Sequence, residues 1–211
     1  MYTSRPRFEL IAPYRSYLIA ATVLFTIGIV LGVMAVIYYP EVIQEILAAV
    51  EEQLKQLGQD IFAGTLASGI WTLFLHNLRA VAVMAALGLL LGAYPVFTLL
   101  VNGAVIGVTG VLFTQQASLA GFLAGIIPHG IFEIPALLLG ASLGLRLGLA
   151  PLFNRNKSPF IPPKPNAWRG YRRELLQGIG IMIMCVGLLG IAAVIEVAIT
   201  PKVMALFGAG I

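Results

Sequence analysis

The chain has 211 residues, of which 59% are apolar and only 10% charged, and its mean hydropathy is +0.95. Water-soluble domains carry about a quarter charged residues, so this composition excludes an ordinary soluble domain and points to a bilayer. The formal net charge of +4 does not call for nucleic acid, because the basic residues sit between apolar runs, where the positive-inside rule accounts for them.

A membrane-spanning helix needs about 20 mainly apolar residues. The first such run, residues 17–39, is too long for the core of a signal peptide and is followed by Pro40-Glu41 rather than a cleavage site, so it reads as a retained signal anchor. Further spans are expected at 66–92, 95–114, 119–148 and 175–200. The boundary between the second and third is set at Tyr94-Pro95, since proline disfavours helix in the residue before it. The expected fold is an all-α integral membrane bundle of about five helices, with residues 1–211 forming a single transmembrane domain.

Two segments do not span. Between the first and second spans, apolar Ile43, Leu47, Val50, Leu54, Leu57 and Ile61 recur at helical spacing with polar residues elsewhere, which predicts an amphipathic helix over 41–62. It either caps the bundle or docks a partner, and its acidic balance argues against binding anionic lipid. The second segment, 151–173, is basic and rich in proline, and it reads as a stiff cytoplasmic connector. Arg5, Arg7 and Arg15 in the N-terminal tail lie on the same side as that connector, while Glu41, Glu45, Glu51, Glu52 and Asp60 lie on the other. The charge rule then puts the N-terminus in the cytoplasm and the C-terminus outside. Tyr14, Tyr17, Tyr94, Trp168 and Tyr171 suit the inner interface, and Tyr38, Tyr39 and Trp71 the outer one.

Polar residues inside spans are costly in hydrocarbon and face protein or water. The second span holds His76, Asn77 and Arg79, the third Asn102, and the fourth His129 and Glu133; Glu196 reads as reaching the outer interface. By the helical rise, Arg79 and Glu133 both fall roughly 20 Å above the inner face. A buried cluster of Asn77, Arg79, Asn102, His129 and Glu133 is therefore expected, centred on an Arg79–Glu133 pair. Pro128 and Pro135 are expected to break or kink the fourth helix and free the carbonyls of Ala124 and Ile131. Such free carbonyls beside a carboxylate are a transporter device; the alternative is a kinked but packed helix.

Gly103, Gly107, Gly121, Gly125, Gly140 and Gly144 stand at the four-residue spacing of close helix packing, among 23 glycines in all. The single cysteine, Cys185, reads as a small buried hydrophobe. Two histidines supply too few ligands for a zinc protease, and the chain has neither a P-loop nor a nucleophile elbow. No cofactor, metal or catalytic residue is expected; the partners expected are the lipid bilayer and either a second copy or other membrane and envelope proteins.

The run His76-Asn77-Leu78-Arg79, then Asn102-Gly103 with Gly107, then Pro128-His129-Gly130 and Glu133, resembles the stage II sporulation protein M family, with the likeness running from about Leu66 to Gly148. The resemblance implies a membrane scaffold: in endospore-forming bacteria members look like scaffolds for cell-wall-degrading proteins during engulfment, and many relatives occur where no spores form. It carries over no catalytic residue. The function expected is thus a non-enzymatic scaffold or accessory subunit, with a small channel or transporter built on the polar cluster as the alternative.

Overall fold

Backbone polar groups have no water partner in hydrocarbon, so long apolar runs satisfy them internally as helices. The computed structural model describes residues 8–62, 64–153 and 167–207, and every regular element among them is helical. A short α1 (Phe8–Ile11) and a 3-10 turn (Ala12–Tyr14) lead into α2 (Arg15–Tyr38). There follow α3 (Pro40–Phe62), α4 (Leu66–Leu87), α5 (Ala93–Gln116), α6 (Leu119–Phe153), α7 (Ala167–Ala198) and α8 (Thr200–Leu206). Five stretches are long and apolar enough to cross a membrane: Ala12–Tyr38, Leu66–Leu87, Ala93–Gln116, Leu119–Leu149 and Leu176–Ala198. The protein is an all-α membrane protein.

Local chemistry sets the helix ends. Thr65 caps α4 by accepting from Ser68 N at 3.2 Å, and Ser118 Oγ accepts from Gly121 N at 3.0 Å at the start of α6. The turn between α4 and α5 lies earlier than the sequence suggests. Leu91 (φ 52°) and Gly92 (φ 72°) are left-handed there, and Tyr94-Pro95 falls in the first turn of α5. Proline costs nothing at that position, where its missing N–H would have no helical acceptor. At the other end of the chain, α7 stops at Ala198, just before Thr200-Pro201 opens α8.

The glycines decide the packing. Gly28 and Gly32 of α2 lie against the backbone of Leu100 and Ala104, and Gly103 and Gly107 of α5 lie against that of Phe25 and Ile29. A Cβ added at Gly107 would sit 2.9 Å from Val33 N and nearer still to the Ile29 carbonyl oxygen. The two backbones are thus in direct contact, and α2–α5 is the most extensive helix pair. On α6, Gly140 faces Val81 of α4, Gly144 faces both Met84 and Pro95, and Gly148 faces the Gly88–Gly92 turn. These contacts set α4 and α5 side by side on α6, which also touches α2, α7 and α8 and so forms the centre of the bundle.

One core cluster joins Ala21, Phe25, Met84, Leu99, Ala141 and Leu145; the other joins Tyr14, Val81, Ala136, Leu139, Ile181, Cys185 and Leu189. The N-terminal segment is part of the second, since Tyr14 is buried beneath the Arg146 guanidinium, 4.5 Å from its ring centre. Tyr14 therefore packs against protein, with the Arg146 cation on its face offsetting its burial.

The amphipathic helix expected at 41–62 is α3. Of its apolar stripe Ile43 and Leu47 are half-buried, while Val42 and Ile46 stand exposed on the adjoining face. The proline-rich core of the expected connector lies outside the described residues, and residues from Ala167 onward already belong to α7.

Candidate functional site

His129 and Glu133 lie one turn apart on α6 and share a face. The antiparallel α7 packs beside them, its register fixed by Cys185 Sγ donating to Ala136 O at 3.4 Å. That register brings Glu196 up to His129, and His129 Nδ1 meets Glu196 Oε2 in an ion pair. Both atoms are buried although the two side chains keep 17% and 30% of their surface. Glu133 lies within electrostatic range of His129, of Glu196 and of His76 on α4. The polar group thus joins α4, α6 and α7 near one end of the bundle.

Its membership differs from the expected cluster. Arg79 makes no pair with Glu133. With Gly140 on Val81 and Gly144 on Met84, Glu133 is level with Phe74, and Arg79 lies roughly 7 Å farther along by the helical rise. Arg79 also points off the bundle and is exposed, as is Asn102, whose Nδ2 donates to Thr98 O of its own helix at 2.8 Å. Asn77 is half-buried on α4. Sequence reasoning missed Glu196 as a partner, because only the α6–α7 register places it at the depth of His129. The carboxylate itself, inside an apolar run, was the available signal.

The expected breaks at Pro128 and Pro135 do not occur. The helix α6 runs unbroken from Leu119 to Phe153, because the lost hydrogen bonds are spaced along a helix held by neighbours on several sides. Of the singled-out glycines, Gly103, Gly107, Gly140 and Gly144 lie at close helix contacts, and Gly125 meets the Met204 sulfur, where a Cβ would be 3.2 Å away. Gly121 is buried and serves the N-terminal cap of α6.

Toward the same end of the bundle, α4 and α7 splay apart. Ile70, Trp71 and Phe74 face Val186, Gly190 and Val194 across an open apolar groove. A Cβ at Gly187 or Gly190 would meet no atom within 4 Å. The histidine–carboxylate group beside it has the chemistry to hold a proton or a cation. Among the described residues, no set of three or more His, Cys, Asp or Glu is grouped as metal ligands would be.

Compared with known families, residues 21–201 match the model described as Stage II sporulation protein M. The chain belongs to that family. The match reaches well beyond the polar motifs to include most of α2 and all of α7, so the stage II sporulation protein M fold takes in all five spans. Two similar proteins come from Methanocaldococcus jannaschii, both known as uncharacterized proteins. MJ0793 is 29% identical over 132 residues, covering 61% of this chain and 68% of its own. MJ0706 is 31% identical over 121 residues, covering 56% of this chain and half of its own. No solved structure matches.

Proposed function

We propose that this member of the family is a non-enzymatic scaffold or accessory subunit of a membrane complex. The observation that carries the reading is α3, a 23-residue amphipathic helix joined to α2 by Tyr39 alone and leaving Val42 and Ile46 about half exposed. An apolar face outside the bundle is a docking surface for another protein. The basic residues of the N-terminal tail and of the segment before α7 support a cytoplasmic N-terminus, which puts α3 on the outer face of the membrane. Capture of cross-linked partners from native membranes tests the reading. Val42→Asp with Ile46→Asp is expected to abolish capture; an unchanged set of partners would sink the idea.

A second reading is a small channel or transporter, favoured by the His129–Glu196 pair with Glu133 a turn away inside an apolar bundle. Proteoliposome flux compared between wild type, Glu133→Gln and His129→Ala tests it. Flux lost in folded variants supports transport, and no flux of protons, common ions or small solutes leaves the polar group as structural glue.

A further inference from the structure

The charge left over by the bundle marks a contact face. Arg79 stands exposed on α4 at membrane depth, and among the described residues no carboxylate of the chain pairs with it. A guanidinium facing lipid tails is costly, so a lone Arg79 favours any arrangement that covers it. The helix α5 lies beside α4 on α6 and exposes Asn102 and Thr109, with Thr98 half-buried one turn before Asn102. Thr109 Oγ1 donates to Val105 O and Asn102 Nδ2 to Thr98 O, so the Thr109 hydroxyl and one Asn102 N–H are satisfied within α5. Among the described residues, no donor meets the Asn102 Oδ1 acceptor and no acceptor meets the Arg79 guanidinium.

Depth makes these two groups match. Gly144 touches both Met84 of α4 and Pro95 of α5, and counting along each helix from there sets Arg79 and Asn102 within about one helical turn of each other. A two-fold axis normal to the membrane preserves depth. A second copy of the chain facing this one through α4 and α5 therefore presents its Asn102 to Arg79, and its Arg79 to Asn102, in an isologous contact. We propose that the α4–α5 face is a membrane-embedded homodimer interface closed by reciprocal Arg79–Asn102 hydrogen bonds. This deepens the scaffold reading by naming the first partner as the protein itself, and it does not depend on α3.

Single-cysteine cross-linking in liposomes tests the contact, with Cys185→Ser as background. Leu75 (43% exposed) and Val105 (54% exposed) lie at similar depth on the two outward faces, and Ile183 (66% exposed) lies on α7, away from them. Mixing Leu75→Cys with Val105→Cys protein is expected to give a cross-linked dimer, whereas pairs that include Ile183→Cys give none. Dimerisation measured by energy transfer at varied lipid dilution is expected to weaken about tenfold in Arg79→Leu, from the loss of two interhelical hydrogen bonds per dimer. Asn102→Asp offers a full carboxylate and strengthens association, and Arg79→Leu cancels that gain. Both residues are exposed, so the variants keep the helical content of the wild type. A chain that stays monomeric at high protein density, or cross-links as well through Ile183→Cys, overturns the proposal. Partner capture through α3 would then still stand or fall on its own test.

Discussion

Replacing Gly107 by alanine tests whether backbone contact between α2 and α5 holds the bundle. The added Cβ would lie 2.9 Å from Val33 N and 3.1 Å from the Ile29 carbonyl carbon, with the Ile29 oxygen closer still. Comfortable contact is roughly 3.5 Å, so the helices must part by roughly an ångström along an interface that Gly28, Gly32 and Gly103 share. Overpacking of this kind costs about 1–3 kcal/mol, less at most about 1 kcal/mol recovered because alanine favours helix over glycine. With the full propensity gain subtracted, the net expectation is a loss of about 0–2 kcal/mol for Gly107→Ala. Gly187→Ala supplies the internal control. Nothing lies within 4 Å of its added Cβ, so only the helix-propensity gain of up to about 1 kcal/mol remains. Reversible unfolding in mixed micelles, followed by circular dichroism against the mole fraction of denaturing detergent, separates the two. Equal stabilities for Gly107→Ala and Gly187→Ala would refute the claim that close approach, rather than glycine content, shapes this bundle.

Three further outcomes follow from the same structure. Removing one member of the His129–Glu196 pair leaves the other buried and unpartnered, which costs about 1–3 kcal/mol. A double-mutant cycle with His129→Ala and Glu196→Ala is expected to give a coupling of about 1 kcal/mol, and strictly additive effects would deny the pair. Truncating Arg146 to alanine uncovers the Tyr14 ring and loosens the N-terminal segment from α7, at a cost of about 1 kcal/mol and with faster proteolysis after that segment. Cys185 is fully buried with its thiol on Ala136 O, so it resists maleimide labelling in the bilayer and reacts fully after denaturation. Rapid labelling of the native protein would contradict the α6–α7 register.

Composition and apolar run length alone determined that this is a five-span all-α membrane protein. The period of Ile43, Leu47, Val50 and Leu54 likewise determined an amphipathic helix, because both signals depend on the local chain and the solvent around it. The motifs around His76, Asn102 and Pro128 pointed to the family, and the glycine spacings marked most of the close contacts. Helix ends were less legible. Pro95 marks a stop when read alone but sits harmlessly in a first turn once Gly92 takes the left-handed conformation. Pairing was not legible at all. Depth along a helix can be counted from sequence, but register between helices depends on which small residues and side chains interlock. The glycine contacts of α6 with α4 moved Arg79 away from Glu133, and the packing of Cys185 on Ala136 brought Glu196 to His129. The reason is physical: a one-turn slide changes no residue's propensity or hydrophobicity, yet it exchanges every polar partner across the interface. Tertiary packing is the only level at which that choice is made.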